Sequence, residues 1–244
     1  MCGRYVSSST PDEIAGYFDA DEQLERALAP SWNVAPTNDI YVVLEHDGVR
    51  AVTANHWGLV PFWAKSVAIG NKMINARAEG IATKSAYREP FRHTRCIVPA
   101  DGFYEWKPVP GQKVKQPFLI TRRSAEPLAL AGLWTTWRDP ASDGSERLRS
   151  ATIITTTAND FMAPIHDRMP VVLPAEAWDA WLDPANDDVE ALEGLLVPAP
   201  AQVLTMRPVS TQVNNVRNQG PHLIDPVDPA PVQPSLIEPE APGG

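Results

Sequence analysis

The chain has little that would stitch, anchor or metallate it. Two cysteines occur in 244 residues, Cys2 and Cys96, and neither belongs to a CxxC pair. That excludes a disulfide framework and makes reduced thiols the expectation. No run of eighteen or more apolar residues is present, so no membrane-spanning helix is expected. The opening MCGRYVSSSTPDE lacks both the basic start and the apolar stretch of a secretory signal, which points to the cytoplasm. His46, His56, His93, His166 and His222 never approach HExxH or another close ligand spacing. Neither a metal nor any other cofactor is expected.

Positive charge is also short, at 21 Lys and Arg against 30 Asp and Glu for a net of -9. A protein coated in positive charge that grips duplex DNA indiscriminately is thereby excluded. The charge is unevenly spread, however. From Lys65 to Arg123 twelve cations face four carboxylates, a local net of +8. Such a segment suits a polyanion groove, and it equally suits a solvated surface of mixed lysines.

What is present fills a core: eight tryptophans and 43% apolar residues in a chain long enough for one large domain. TPDEIAGYFDA carries a Thr-Pro start signal and puts Ile14, Tyr17 and Phe18 on one helix face. DIYVVLEHDGVRAVTANHWGLVP reads as two strands about an HDG turn, and RCIVPADGFYEW, PFLITRR, LALAGLWTTW and SATIITTTAN supply further strands. AEAWDAWLD and DVEALEGLL read as helices. Strands and helices do not alternate as βαβ units. The expected fold is therefore α+β, with a mostly antiparallel, curved or partly closed sheet and flanking helices. No repeat or linker divides residues 1–217, a single expected domain. Residues 218–244 hold seven prolines and no Lys or Arg, an acidic tail that cannot build its own core.

Four stretches concentrate polar, titratable groups that packing does not require: MCGRY, INARAEG, PADGFYEWK and PIHDRMP. Removal of Met1, which a small second residue permits, would leave Cys2 with a free α-amine beside its thiol, a 1,2-aminothiol. Asn75, Arg77 and Glu79 alternate, so one strand face would present them together to a phosphate or base, or to solvent at a sheet edge. Glu105 lies between Tyr104 and Trp106. Desolvation there would raise its pKa into the range of a proton shuttle, whereas an outward-facing glutamate would do nothing. His166, in a polar turn before Asp167 and Arg168, is a candidate for acid–base work or a structural histidine. WGLVPFWAK sets Trp57, Phe62 and Trp63 beside Lys65, a mixture suited to stacking exposed bases, with core packing the role for at least one tryptophan.

Taken in order, MCGRY, WGLVPFWAK, INARAEG, VPADGFYEWK and IHDRMPVVL resemble the SRAP (SOS response-associated peptidase) family, from Cys2 to about Met206. The resemblance implies an abasic-site processing enzyme of the DNA damage response that crosslinks to single-stranded DNA through its N-terminal cysteine. It further implies that Cys2 is the crosslinking residue, that Asn75 holds it near the sugar, and that Glu105 and His166 are the acid–base pair. Arg4, Arg77, Thr155 and Arg168 fall where the family contacts phosphates, and Trp63 is the expected stacking residue. The implied product is a thiazolidine, formed after autocatalytic or aminopeptidase removal of Met1, with strand cleavage by β-elimination as the competing lyase branch.

The expected partners are single-stranded DNA carrying abasic sites and, further off, the replication machinery. A monomer, associated with the nucleoid when bound to DNA, is expected. Two other classes stay open: an N-terminal-nucleophile amidohydrolase in which Cys2 attacks an amide, and a noncatalytic single-strand binding module in which Cys2 is incidental.

Overall fold

The strongest alternating stretches form the central sheet. The computed structural model describes residues 2–22, 27–141 and 147–228. In chain order it contains β1 (Tyr5–Ser7), α1 (Pro11–Phe18), β2 (Asp21–Glu22), β3 (Ser31–Val34), β4 (Asp39–His46) and β5 (Val49–Trp57). An excursion carrying β6 (Asn75–Arg77) and α2 (Arg88–His93) follows, then β7 (Arg95–Ala100), β8 (Gly102–Lys107), β9 (Gln116–Arg122), β10 (Leu128–Arg138) and β11 (Arg147–Thr157). The chain continues through β12 (Arg168–Pro170), α3 (Trp178–Leu182), α4 (Val189–Gly194) and β13 (Leu204–Pro208).

β4 and β5 form a hairpin turned at Asp47 and Gly48, which both have positive φ, 52° and 75°. That turn has the twist that flanking strands require, and Asp-Gly is the dipeptide that tolerates it. Antiparallel pairing then runs from β5 through β4, β7 and β10 to β11. A short parallel contact, Ser150 with His56 and Ala151 with Trp57, brings β11 back to β5 and partly closes the sheet. A second sheet has the order β13-β9-β8-β1-β3. The architecture is the α+β, mostly antiparallel and partly closed one that the sequence pattern predicts.

Alternation sends opposite side-chain sets to the two faces of the larger sheet. Ile40, Val42, Leu44, Val98 and Leu130 meet Tyr5, Phe103 and Ile120 of the second sheet. On the other face, Tyr41, Val43, Ile97 and Leu133 are covered by Ile14 and Phe18 of α1 and by Trp178 and Trp181 of α3. α1 starts at a reciprocal cap: Thr10 N–H donates to Glu13 Oε2 at 2.7 Å and Thr10 Oγ1 accepts from Glu13 N–H at 3.3 Å. The predicted helix AEAWDAWLD is shorter than its pattern, with a 3-10 turn at Ala175–Ala177 before α3. Pro174 and Pro184 bracket it and leave no room for further α turns.

One of the twelve cations in the basic segment belongs to the core. Arg95 is 2% exposed, and its guanidinium donates to the carbonyls of Trp181, Phe91, Arg92, Asp183 and Asn186. It therefore ties β7 and α2 to the end of α3. Arg95→Ala would orphan these acceptors and leave a void, so we expect a loss of about 3–5 kcal/mol, read as a lowered midpoint in urea denaturation at unchanged slope.

Part of the Pro-rich C-terminal stretch is docked. Asn33 Nδ2 donates to the carbonyl of Asn218, Gln219 Oε1 accepts from the Ser31 hydroxyl and Trp32 N–H, and Leu223 is buried. The rest of the tail, 229–244, lies outside the described residues. Among the described residues no helix is long and apolar enough to cross a membrane.

Candidate active site

Chemistry-bearing residues gather where the N-terminal arm joins the second sheet as β1. β1 lies between β3 and β8, which draws Cys2 to complete burial. β6 belongs to the larger sheet and pairs in parallel with β11, Asn75 opposite Ile153. Asn75 Nδ2 donates to the Cys2 carbonyl at 2.8 Å. Its Oδ1 is buried and has no hydrogen-bond partner among the described residues, an acceptor held ready for a donor from elsewhere.

Glu105 sits on β8, 3% exposed, so the inward reading of its strand position is the correct one. Burial raises its carboxyl pKa above the ordinary value. The Cys2 thiol is pushed up to about 12, by burial first and by the neighbouring Glu105 carboxylate second. At neutral pH the buried sulfur is therefore a thiol.

His166 closes a turn held by Asn159, whose Oδ1 accepts from Met162 N–H at 2.9 Å and whose Nδ2 donates to the Ala199 carbonyl at 2.7 Å. Its Nδ1 is 3.0 Å from Arg168 N–H and 2.8 Å from Asp167 Oδ1. One nitrogen cannot accept from the amide and donate to the carboxylate at once. Burial lowers the His166 pKa against the opposing pull of Asp167, and the neutral ring is the form that results. The Arg168 amide and the Asp167 carboxylate thus compete for Nδ1 and set which nitrogen of the neutral ring carries the proton. Lys115, whose charge acts on both Glu105 and His166, belongs to this neighbourhood. Sequence reading counted it only as one cation in a basic run. Its signal was its place just before β9, across the ladder from the Glu105 strand.

The phosphate-contact candidates divide. Arg77 ends β6 with an exposed side chain. Glu79, past the end of that strand, reaches Arg168 with both carboxylate oxygens, at 2.5 and 2.9 Å, and the ion pair holds its pKa below the ordinary value. Arg168 is 6% exposed and also donates to the Thr155 carbonyl at 2.6 Å, while Thr155 is fully buried. Arg4 is engaged too, donating to Asn33 Oδ1 at 2.7 Å and the Val213 carbonyl at 2.9 Å, over the Trp106 ring.

Of the aromatic cluster, Trp57 is core, with its indole N–H on the Ile74 carbonyl. Phe62 and Trp63 are 71% and 48% exposed. Trp63 lines a groove of about 190 Å³ with Phe62, Ala86, Pro90, His93 and Thr135, and none of Cys2, Asn75, Glu105 or His166 borders it. A separate cleft of about 590 Å³, walled by Asp19, Glu45, Arg50, Asp179 and Asp183, is too acidic to receive a polyanion. Among the described residues no group of three or more His, Cys, Asp or Glu is placed to hold a metal ion.

The partly closed antiparallel sheet thus places an amide on the carbonyl of Cys2 and a buried carboxylate in the field of its thiol. The chain belongs to the SOS response associated peptidase (SRAP) family, whose family model matches residues 1–216. It is similar to the abasic site processing protein YoqW of Bacillus subtilis (strain 168), 42% identical over 226 residues that cover 92% of this chain and 99% of that protein. It is also similar to the abasic site processing protein YedK of Escherichia coli (strain K12), 34% identical over 232 residues covering 93% and 100%. A crystal structure of a protein from Bacteroides thetaiotaomicron matches with a TM-score of 0.81 at 25% identity, over 93% of this chain and all of that one.

Proposed function

We propose that this protein processes abasic sites in single-stranded DNA by bonding to them through Cys2. The observation that carries the reading is the Asn75 bond to the Cys2 carbonyl with Glu105 buried in the field of the same residue. The printed names of YoqW and YedK support it.

An abasic deoxyribose opens from a hemiacetal to an aldehyde, the electrophile that a 1,2-aminothiol captures best. Met1 must leave first, because an acylated nitrogen cannot condense. Glu105, with its raised pKa, gives a proton to the ring oxygen as the sugar opens and takes one from the attacking amine. The α-amine, ordinarily near pKa 7.7–8.0, adds to the carbonyl, water departs and a Schiff base remains. His166, as a neutral ring, assists that dehydration or its reversal. Sγ then adds to the imine carbon while the thiol proton passes to nitrogen. The thiazolidine ring closes without further loss of atoms, and its intramolecular closure favours persistence. Closure also withdraws the Schiff base from β-elimination and so suppresses strand cleavage.

Arg77 takes the first phosphate, being the exposed cation nearest Asn75 along β6. Arg4 and Arg168 reach phosphate only by exchanging an internal partner, and Thr155 acts from beneath them. Phe62 and Trp63 stack on unpaired bases, which a fully stacked duplex cannot offer. The exposed Lys65, Lys72, Lys84, Arg88 and Arg92 supply local attraction inside an acidic protein.

Incubation with a labelled single strand carrying one abasic site tests the reading on a denaturing gel. Complex formation is expected to weaken as salt rises, and the adduct, once formed, to resist both salt and denaturant. A complex that dissociates in denaturant contradicts it. Asn75→Ala removes one hydrogen bond worth about 1–1.5 kcal/mol, so adduct formation is expected to slow about tenfold.

A further inference from the structure

The arm that presents Cys2 is short of ordinary strand pairing. β1 spans three residues, pairs with β8 at two positions and meets β3 with a register shift between Tyr5 and Ser7. A slip of one residue would carry Cys2 about 3.3 Å along the sheet and turn its side chain to the other face. That displacement would break the Asn75 contact. Something beyond the ladder has to fix the arm.

Asp101, at the turn between β7 and β8, is placed to do so. Its Oδ2 accepts from Ser8 N–H at 2.6 Å, Ser8 Oγ at 2.8 Å and Ser9 N–H at 3.0 Å, and its Oδ1 accepts from Ser9 Oγ at 2.5 Å. Its own N–H donates to the Val6 carbonyl at 2.9 Å. The anchored serines run directly into Thr10, the cap of α1, so the carboxylate ties the arm to a helix that is itself packed in the core. A carboxylate accepting backbone and hydroxyl donors makes charge-assisted bonds, stronger than neutral ones. The arm is thus pinned at both ends, by Asn75 on Cys2 and by Asp101 on Ser8 and Ser9.

We propose that Asp101 is a positioning residue that locks the register of the N-terminal arm and thereby holds Cys2 in its buried place. Its consequence for catalysis rests on the proposed function, whereas its consequence for the arm does not. Two readouts separate them. In native protein, alkylation of each cysteine by iodoacetamide is followed by peptide mass. Asp101→Ala is expected to label Cys2 at least tenfold faster than wild type, with Cys96, buried between β4 and β10, as slow as before. Asp101→Asn, which keeps one acceptor oxygen, is expected to fall between. The adduct rate at saturating abasic single strand should drop in the same order, with half-saturation unchanged. Unchanged Cys2 labelling in Asp101→Ala overturns the proposal. So does a matching rise at Cys96, which would mean general loosening. Should wild type form no adduct while Asp101→Ala still exposes Cys2 alone, the proposed function fails and the register lock stands.

Discussion

Cys2→Ser is expected to abolish the denaturant-resistant adduct while leaving a transient one. Serine at residue 2 still permits loss of Met1 and keeps the α-amine, so the Schiff base forms. An alcohol is a far poorer nucleophile than a thiol for closing on the imine, and the reaction stops there. Two signatures follow: a complex captured only when borohydride reduces the imine, and more strand cleavage than wild type because β-elimination is no longer suppressed. The measurement is one time course on a denaturing gel, with and without reductant. Wild-type levels of denaturant-resistant adduct in Cys2→Ser would remove sulfur from the mechanism.

Glu105→Gln is expected to make the protein more stable and less active. Because burial raises the pKa of Glu105 above its ordinary 4.5, the folded state binds its proton more tightly than the unfolded chain. Stability therefore falls as pH rises from the ordinary carboxylate value through the raised one, and the full penalty applies above it. Glutamine removes the charge at nearly constant shape. We expect a gain in stability at pH 8 in the range of an ordinary single substitution, about 0.5–3 kcal/mol, seen as a rise in Tm of about 2–4 °C per kcal/mol at this chain length. The gain should vanish below pH 4.5, where both states are protonated. Loss of the proton shuttle should slow adduct formation about a hundredfold. A variant that loses both stability and rate would place Glu105 in the framework instead of the chemistry.

Much of this architecture is legible in the residues because local chemistry and tertiary packing agree. The Asp47–Gly48 hairpin, the Thr10–Glu13 cap and the alternation through Glu105 each follow from a few neighbouring side chains. The buried setting of Glu105 was one of two readings, and only the packing of the second sheet, to which β8 belongs, against the larger one decides it. Arg95 could not be told from a surface cation, because three of its five acceptors, the carbonyls of Trp181, Asp183 and Asn186, lie more than eighty residues away in sequence. Asp101 was hidden for a similar reason. A lone aspartate before glycine signals a turn, and its four donors lie over ninety residues earlier in the chain. Glu79 looked like a third member of an alternating face, yet the strand ends at Arg77 and Glu79 serves as the counter-ion of Arg168. The five ordered motifs grouped Cys2, Asn75, Glu105 and His166; the fold sets Asn75 of β6 on the Cys2 carbonyl and Glu105 of β8 in the field of the Cys2 thiol, while His166 lies in the turn before β12.

Intact mass of the protein after incubation with an abasic single strand, taken under denaturing conditions, bears most directly on the covalent chemistry. The expected species is the chain lacking Met1, joined to one oligonucleotide with loss of one water and stable to heating. It should be absent with an undamaged strand and absent in Cys2→Ala. A protein recovered at its unmodified mass, or an adduct that persists in Cys2→Ala, would contradict bond formation through Cys2.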